Sequence, residues 1–411
     1  MLKKQIEKLK YKIKMFRNLS YINRNSKNVI KNLQKKIKTE KLNVVFYVYD
    51  SAKWKCQTLY DLFIQDEQFN VKILVTRSNV KDKNNSTYQS IEDIKKTYDF
   101  FANKNMNVEF AYDFKLERHI PFIEFKPDII IYQHPWYVET SQGPVVCSKF
   151  ALTYYVPYFV ANAGLKEDYY LRFHQYIHKH YLLNQSLVDY FSPKMENKGR
   201  NLVASGHPQL DFFYLNNEES TNAGYVIYAP HWTFDGHGLS YGTFEWNGKF
   251  ILEFAKQHSD INWIFKPHPL LKKSLVDFGF MTTDEVNEYY SEWNKIGKVH
   301  EDGDYLSLFV NSKAMITDCG SFLTEYFLTK KPLIRIVSGK SAPFCPHCVE
   351  ITKNYYEANN LQELQVLLDD IIINENDYMK NQRCNAVEKS DLANIYAAKN
   401  IIDDIKKEVL L

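Results

Sequence analysis

Two short segments in the C-terminal half carry groups that could bind an anion. Lys266 and His268 alternate with prolines in the run KPHP, and because proline fixes φ, both side chains project from a rigid turn. Asp318, Gly320 and Ser321 stand directly before a helical pattern, where free backbone N–H groups and the helix dipole favour negative charge. We predict that Lys266, His268, Gly320 and Ser321 bind the phosphates of a donor, and that His268 also stabilises charge during the reaction.

A third segment, the run YAPHW at 228–232, ends another predicted strand and leads into a stretch at 233–243 that contains three glycines. This stretch could wrap a donor, although it lacks the GxGxxG spacing of dinucleotide-binding loops. Glu325 lies one turn into the helix after Ser321, where a carboxylate could accept hydrogen bonds from ribose hydroxyls. The residues predicted to contact the nucleotide or its ribose are Pro230, His231, Trp232, Asp318 and Glu325.

The N-terminal half has its own candidate site. An apolar run at 128–132 opens into Gln133 and His134, and an imidazole can take a proton from an acceptor hydroxyl near neutral pH. We therefore predict His134 as a catalytic general base, with a purely structural histidine as the open alternative. The predicted acceptor-side residues are Ser51, Lys53, Gln133 and His207.

Strands must position these segments, and the sequence pattern predicts such strands. Short runs rich in Val, Ile, Phe and Tyr alternate with helical spacing, which indicates parallel sheets with crossover helices. Ligands of such sheets bind beyond the carboxyl ends of the strands, where the candidate residues stand. The predicted strands are 42–49, 71–76, 108–112, 128–132, 153–160, 225–229, 261–265, 314–317 and 332–337, and a helix is predicted at 168–183.

The fold class is accordingly α/β, with two Rossmann-like domains facing a cleft and a basic amphipathic helical arm before them. The chain of 411 residues exceeds what one core usually supports. The predicted segments are the arm 1–41, the acceptor domain 42–214, a polar linker 215–224, the donor domain 225–385 and a C-terminal helix 386–411.

The arm differs in charge from the rest of the chain. Residues 1–41 hold 14 Lys/Arg and two acids, a net charge of +12, so the remaining residues carry −9 of the overall +3. Leu2, Ile6, Leu9, Ile13 and Phe16 form one helical stripe, and a similar pattern resumes after the polar stretch 23–28. A lysine-rich amphipathic helix is typical of attachment to an anionic membrane surface. An oligomer-forming helix or a nucleic-acid arm stays open, but the acidic remainder argues against nucleic acid.

The composition of the chain further restricts the class of protein to which it can belong. No stretch approaches the roughly 18 consecutive apolar residues of a membrane span, and no secretion signal opens the chain. Six scattered cysteines fit a reducing cytoplasm. Cys345-Pro-His-Cys348 could supply part of a zinc site, yet no second pair lies nearby, so two free thiols are expected. No metal or cofactor is predicted.

Residues 128–340 resemble the CDP-glycerol glycerophosphotransferase family, which includes teichoic-acid polymerases and capsule-synthesis relatives and has a GT-B-type fold. The resemblance rests on the order of four motifs: SGHPQLD at 205–211, YAPHW at 228–232, KPHP at 266–269 and TDCGS at 317–321, the last followed by Glu325-Tyr326 and Lys331-Pro332. The chain departs from the family at Gln209 (family Arg), His231 (family Thr) and Gly320 (family Ser). The family's WHGTP-like acceptor motif, whose His is implicated as the base, corresponds here only to 133–136. The resemblance assigns phosphate binding to His268, Ser321 and Lys266.

The resemblance implies a transferase of bacterial cell-surface polymer synthesis, in a capsule or teichoic-acid-like pathway. It would move a polyol-phosphate group from a CDP-linked donor to a hydroxyl of a glycan or lipid-linked acceptor, releasing CMP at the inner membrane face. One alternative keeps the fold but uses a CMP- or UDP-sugar and makes a glycosidic bond. Another is a non-catalytic, membrane-bound nucleotide-binding scaffold.

Overall fold

A computed structural model of the chain describes residues 2–79, 89–136, 138–166, 169–216, 224–301, 305–392 and 395–410. The chain forms two compact units. Unit 1 contains Met1–Val160, Lys166–Asp211 and Ile395–Leu411, and unit 2 contains Ala161–Leu165 and Phe212–Asn394. Most of the predicted linker, 217–223, lies outside the described residues, as do residues 80–88.

Unit 1 is built on a parallel sheet. Its strands are β1 Leu42–Val48, β2 Phe69–Val75, β3 Val108–Phe110, β4 Tyr112–Asp113, β5 Arg118–His119, β6 Ile129–Tyr132, β7 Leu152–Tyr155, β8 Lys179–Leu182 and β9 Leu202–Ala204. Seven of them form one sheet in the order β3-β2-β1-β6-β7-β8-β9, and β4 pairs antiparallel with β5. Side chains of β1 alternate between two cores, with Phe46 on one face and Tyr47 on the other. Both faces are therefore covered, as parallel sheets require.

Helices α1 Leu2–Lys36, α2 Gln57–Gln65, α3 Ile91–Ala102, α4 Pro144–Cys147, α5 Arg172–Tyr176 and α6 Gln185–Phe191 accompany this sheet, and α7 Asp211–Leu215 begins at the last residue of this part of unit 1 and continues into unit 2. The first helix runs unbroken through the polar stretch 23–28. Ile22, Val29 and Leu33 are buried, and the last two belong to the core of unit 1. Because packing of an amphipathic face outweighs the modest helix propensity of Asn, the helix continues. The second half of the predicted arm is thus part of unit 1.

Unit 2 repeats the design. Its strands are β10 Tyr225–Ala229, β11 Asn262–Phe265, β12 Gly297–Val299, β13 Ser312–Thr317, β14 Leu333–Ile336 and β15 Tyr356–Ala358, in the order β12-β11-β10-β13-β14-β15. Its helices are α8 Phe244–Gln257, α9 Leu271–Asp277, α10 Thr283–Ile296, α11 Leu306–Asn311, α12 Phe322–Phe327, α13 Pro346–Thr352, α14 Leu361–Leu367 and α15 Lys380–Lys389. A π-helical turn, Leu368–Ile373, follows α14. The last helix, α16 Ala397–Leu410, belongs to unit 1.

In both sheets the order of the strands reverses at the first strand of the sheet, β1 in unit 1 and β10 in unit 2. In unit 1 the strands that follow β1 lie on either side of it, and in unit 2 the same holds for β10. This is the Rossmann-like order, and ligands of such sheets bind beyond the strand ends at the reversal point. The predicted α/β class with two Rossmann-like sheets is confirmed.

Two element predictions were wrong. The helix expected at 168–183 is instead the short helix α5 followed by strand β8, which pairs with β7 and β9. The strand expected at 153–160 ends at Tyr155, two residues before Pro157, which has no N–H to donate to a ladder. Among the described helices, none is long and apolar enough to cross a membrane.

Candidate active site

The KPHP turn of unit 2 continues the pairing of β10 and β11 beyond the strands. The amide of Lys266 donates to the carbonyl of Tyr228 at 2.8 Å, and the amide of His268 donates to that of Pro230 at 3.2 Å. The Lys266 side chain is buried, with its ammonium 5.1 Å from the ring centre of Tyr305 and 5.3 Å from that of Phe322. Those distances fit cation–π contacts and bring Lys266 to the first residue of α12.

The imidazole of His268 has a defined tautomer. Its Nδ1 accepts a hydrogen bond from the amide of Leu270 at 3.1 Å, so the proton of the neutral ring is on Nε2. Burial, together with the charge of Lys266, lowers the pKa of His268 to about 3. At neutral pH this ring is an uncharged N–H donor. It is therefore better suited to donate a hydrogen bond to a phosphate oxygen than to accept a proton from a substrate.

Asp318 organises the loop between β10 and α8. Its Oδ1 accepts from the amide of His231 at 2.6 Å, and its Oδ2 accepts from the amide and hydroxyl of Thr243 at 2.7 and 2.8 Å. Burial raises the pKa of Asp318 to about 7, and these three hydrogen bonds oppose that rise by favouring the carboxylate. Both oxygens are occupied, so Asp318 holds the loop in place.

The turn Gly320-Ser321 lies next to this loop. A Cβ on Gly320 would come within 2.7 Å of the Tyr241 ring, which explains why glycine stands where the family has serine. Ser321 is exposed, and its hydroxyl makes no capping hydrogen bond to α12. Since α12 has only six residues, its dipole is small, and the side chains and turn carry more of the anion-binding character than the sequence pattern suggested.

Glu325 is buried on α12, and its Oε1 accepts a hydrogen bond from the hydroxyl of Tyr305 at 3.1 Å. Trp232 is half-buried beside His268, with ring centres 5.5 Å apart. The rings of His231 and His268 are 5.3 Å apart. Unit 2 thus brings the residues predicted after β10, β11 and β13 to one corner of its sheet.

Sequence reasoning missed Asn162, which completes this corner. The residue is buried, and its Nδ2 donates to the carbonyls of Gly320 at 2.8 Å and Ser321 at 3.2 Å. Its Oδ1 accepts from Thr324 at 2.6 Å and lies 3.2 Å from Nε2 of His347. These partners are 158 to 185 residues away in the chain, so no local pattern could have indicated them.

The candidate residues of unit 1 gather at its own reversal point. Ser51–Lys53 form a 3-10 turn after β1, capped by Asp50, and the Lys53 ammonium is 2.9 Å from an oxygen of Asp50. The same ammonium lies 4.4 Å from the ring centre of Tyr49. Gln133, after β6, accepts from the amide of Lys55 at 2.8 Å.

His134 is enclosed by aromatic rings. The ring centre of Tyr49 is 3.8 Å away and that of Tyr47 is 4.9 Å away, and the imidazole is buried. Neither ring nitrogen reaches hydrogen-bonding geometry with a described residue. Burial and the charge of Lys53 lower its pKa well below the usual value, against a smaller opposing effect of the Trp136 backbone. The ring is therefore neutral and has a nitrogen lone pair to offer.

The motif at 205–211 fastens the C-terminal helix to unit 1. Asp211 accepts from the amides of Ala397 at 2.6 Å and Ala398 at 2.9 Å, at the start of α16. His207, predicted on the acceptor side, uses both ring nitrogens: Nε2 donates to the carbonyl of Pro157 at 2.8 Å, and Nδ1 accepts from Gln209 at 3.3 Å. Its observed contacts are structural.

Cys345 and Cys348 are buried free thiols, and helix α13 begins directly after Cys345. Across the described ranges, no group of three or more His, Cys, Asp or Glu side chains is arranged to hold a metal ion.

Comparisons with known proteins agree with this architecture. Residues 175–340 match the family described as CDP-Glycerol:Poly(glycerophosphate) glycerophosphotransferase, which confirms the resemblance inferred from the motifs. The chain is thus related to a family of transferases. No curated protein matches it.

Several solved structures share the fold. UDP-GlcNAc 2-epimerase from Neisseria meningitidis, bound to UDP-GlcNAc, has a TM-score of 0.54 at 13% identity, covering 89% of this chain and 100% of that one. S. aureus MnaA with UDP has a TM-score of 0.57 at 13% identity, with coverage of 91% and 98%. The wall teichoic acid polymerase TagF has a TM-score of 0.51 at 12% identity, with coverage of 97% and 98%. These likenesses establish the GT-B-type fold.

Proposed function

We propose that this protein is a glycerophosphotransferase-like enzyme of bacterial cell-surface polymer synthesis, of the capsule or teichoic-acid type. It transfers glycerol phosphate, or a similar polyol phosphate, from a CDP-linked donor to a hydroxyl of a glycan or lipid-linked acceptor. CMP is the second product. The site needs no metal or other cofactor of its own.

The observation that carries this proposal is the convergence of donors at the corner of unit 2. His268 lies against His231, Lys266 lies against Phe322 at the start of α12, and Asp318 ties the loop after β10 to the turn after β13. One ammonium, several N–H groups and an uncapped hydroxyl at Ser321 suit the oxygens of a diphosphate. These residues lie within or beside the segment that matches the transferase family.

In the proposed reaction, an acceptor hydroxyl loses its proton to His134 and attacks the β-phosphorus of the donor. A new oxygen–phosphorus bond forms, the bond between that phosphorus and the bridging oxygen breaks, and CMP leaves with the bonding electrons. Negative charge grows on the diphosphate, and Lys266, His268 and Ser321 stabilise it because their donors are already oriented. Glu325 and Trp232 contact the nucleotide or its ribose.

The test is product analysis with the full chain, CDP-glycerol and a glycan or lipid-linked hydroxyl acceptor. We expect CMP release and a phosphodiester in the product, identified by phosphorus NMR and mass spectrometry. A glycosidic product formed from a CMP- or UDP-sugar would overturn the assignment. Tight CDP binding without turnover on any acceptor would indicate a scaffold.

We further propose that the first part of α1 attaches the protein to the inner face of the cell membrane. Ile13 is 51% exposed and Phe16 is 70% exposed, and Lys10, Lys14 and Arg17 are exposed beside them. Apolar rings and chains amid basic residues favour an anionic lipid surface, where each nearby basic residue contributes about 1 kcal/mol. The side chains of Leu2, Ile6 and Leu9 lie outside the described residues.

Vesicle sedimentation tests the attachment. The chain should bind vesicles containing phosphatidylglycerol more tightly than vesicles of phosphatidylcholine alone, and the double substitution Ile13→Asn, Phe16→Asn should weaken binding to the anionic vesicles. Leu116→Asn, which changes an apolar residue 62% exposed elsewhere in unit 1, is the matched control. Equal binding of the double variant and the control would exclude this surface.

A further inference from the structure

Three histidines of unit 2 each make the same type of local hydrogen bond. In each, the imidazole Nδ1 accepts from the backbone amide two residues later: Thr233 for His231 at 3.3 Å, Leu239 for His237 at 3.1 Å and Leu270 for His268 at 3.1 Å. A backbone amide can only donate, so Nδ1 carries no proton, and the proton of each neutral ring is on Nε2. In His231 the hydroxyl of Thr233 lies 2.8 Å from the same Nδ1 and is then a donor as well.

His207 of unit 1 has the same hydrogen bond and provides an internal check. Its Nδ1 accepts from Gln209, and its Nε2 lies 2.8 Å from the carbonyl oxygen of Pro157. Because a carbonyl oxygen can only accept, Nε2 of His207 must carry the proton. In His207, where a partner of Nε2 is also present, the hydrogen bond from the amide to Nδ1 therefore occurs together with an Nε2 that donates.

The three rings of unit 2 lie around one tryptophan. Trp232 is 4.8 Å from His237 and 5.5 Å from His268 between ring centres, and His231 is 5.3 Å from His268. His231 is buried, whereas His237, His268 and Trp232 are half-buried. The cluster thus has a buried side and a side that a ligand can reach.

The loop that carries His237 is fixed at its base, and residues 235 and 239 beside its tip bond Lys340 and Ala342. The amide of Gly242 donates to the carbonyl of Thr233 at 2.6 Å and closes the loop, and Asp318 binds residues on both sides of this closure. Gly236 has a φ of +88°, which favours glycine, and a Cβ on Gly236 would meet nothing within 4 Å. His237 is therefore presented on a turn that a firmly held base supports.

The orientation of the rings decides what they can bind. A metal-binding imidazole usually coordinates through one nitrogen while its other N–H donates to an acceptor. Here Nδ1 is an acceptor and Nε2 holds the proton, so the lone pair that a metal needs at Nε2 is absent. Three N–H donors grouped around Trp232 are instead suited to a ligand with several acceptor oxygens.

We propose that His231, His237 and His268 form one metal-independent binding site for the diphosphate of the donor, in which His237 is a further direct ligand. The inference rests on the proposed function, since it concerns the same donor. The family resemblance supplies neither new role, because His231 stands where the family has Thr and His237 lies outside the family motifs.

Calorimetric titration of the full chain with inorganic pyrophosphate, and separately with CDP, tests the site. His237→Ala should weaken binding of both by about tenfold, the loss expected for one hydrogen bond to a charged group. His237→Gln keeps an amide N–H and should recover part of that loss. His258→Ala, at the end of α8 and outside the cluster, should bind like the wild type. EDTA should leave all affinities unchanged.

Unliganded melting temperatures show whether each variant folds. If His237→Ala binds as tightly as the wild type while His268→Ala does not, the role of His237 is wrong and the proposed function stands. A requirement for Mg²⁺, or equal weakening by the Gln and Ala variants, would also overturn the inference. If the wild type binds neither pyrophosphate nor CDP, the proposed donor site fails together with it.

Discussion

The two units place chemistry at the same topological point by different means. In unit 1 the reversal point lies between β1 and β6, and aromatic rings of Tyr47 and Tyr49 surround the imidazole of His134. In unit 2 it lies between β10 and β13, and Asp318 holds the adjoining loop with three hydrogen bonds. The strand order is shared, but the scaffolding around the candidate residues is not.

The difference shows how the surroundings of a histidine determine whether it donates a hydrogen bond or accepts a proton. Backbone donors engage Nδ1 of His268 and fix its proton on Nε2, so the ring is prepared to donate. Aromatic rings surround His134, and no amide of a described residue donates to either of its nitrogens, so the neutral ring keeps one lone pair. Hydrogen-bonded scaffolding therefore suits the binding of charge, and apolar packing suits the acceptance of a proton.

Replacing His134 with phenylalanine would test that contrast most severely. His134→Phe keeps an aromatic ring against Tyr47 and Tyr49 and removes a buried polar group, so stability should stay equal or rise by about 1 kcal/mol. Turnover should fall by about 10²–10⁴-fold if the imidazole is the base. Steady-state kinetics and urea melts measure both, with His174→Phe, another buried histidine of unit 1, as control. Turnover within threefold of the wild type would reject the assigned role.

Removing the imidazole in unit 2 should affect binding as well as rate. His268→Ala should reduce turnover by about 10²–10³-fold, the loss typical of a donor aimed at developing charge, and should raise the Kd for CDP. His134→Phe should leave that Kd unchanged. Parallel kinetics and calorimetry on both variants sharpen the comparison. An unchanged Kd in His268→Ala would make the two corners alike and contradict the proposed division of roles.

The glycine in the donor turn offers a smaller, structural test. Gly320→Ser restores the family residue but drives a Cβ to within 2.7 Å of the Tyr241 ring, an overpacking that should cost about 1–3 kcal/mol. Tyr241→Leu should relieve the clash, so the double variant should be more stable than the sum of the single effects predicts. Urea unfolding of the four proteins measures the coupling. Strictly additive losses would show that Tyr241 does not dictate Gly320.

The dependence of stability on pH provides a further test, because His174 is a buried histidine of unit 1. Burial lowers the pKa of His174 to about 3, below the unfolded value near 6.5. Between these values the unfolded chain binds the proton first, so stability falls as pH falls, by up to about 1.4 kcal/mol per pH unit. His174→Phe cannot be protonated and should flatten the slope in urea melts at pH 4–7. Identical slopes would contradict a buried neutral His174.

Much of this arrangement was predictable from the sequence for one physical reason. The carboxyl ends of parallel strands meet at one edge, so motifs directly after strands, such as KPHP and the turn at Gly320, must come together. The bulk of each sheet followed from buried apolar runs. Strand β8 could not be predicted in this way, because Lys179–Leu182 is a short run and only its pairing with β7 and β9 makes it a strand.

The supporting contacts were beyond sequence reasoning. Tyr241, Tyr305 and Asn162 act through partners far away in the chain, and their types have many other uses. His207, predicted on the acceptor side, also has structural contacts that its motif did not indicate: its ring bonds the carbonyl of Pro157 and the amide of Gln209. Membrane attachment and the roles of the individual site residues stay predictions.

The segment Ala161–Leu165 has a consequence for any attempt to dissect the protein. It counts with unit 2, yet residues of unit 1 precede and follow it in the chain. A fragment cut at Phe212–Asn394 would therefore be produced without Asn162, leaving the carbonyls of Gly320 and Ser321 and the hydroxyl of Thr324 without the amide that bridges them. Expression of the donor half as one continuous piece should yield a loosened turn, and a faithful minimal version must supply that strip of five residues in trans or by circular permutation.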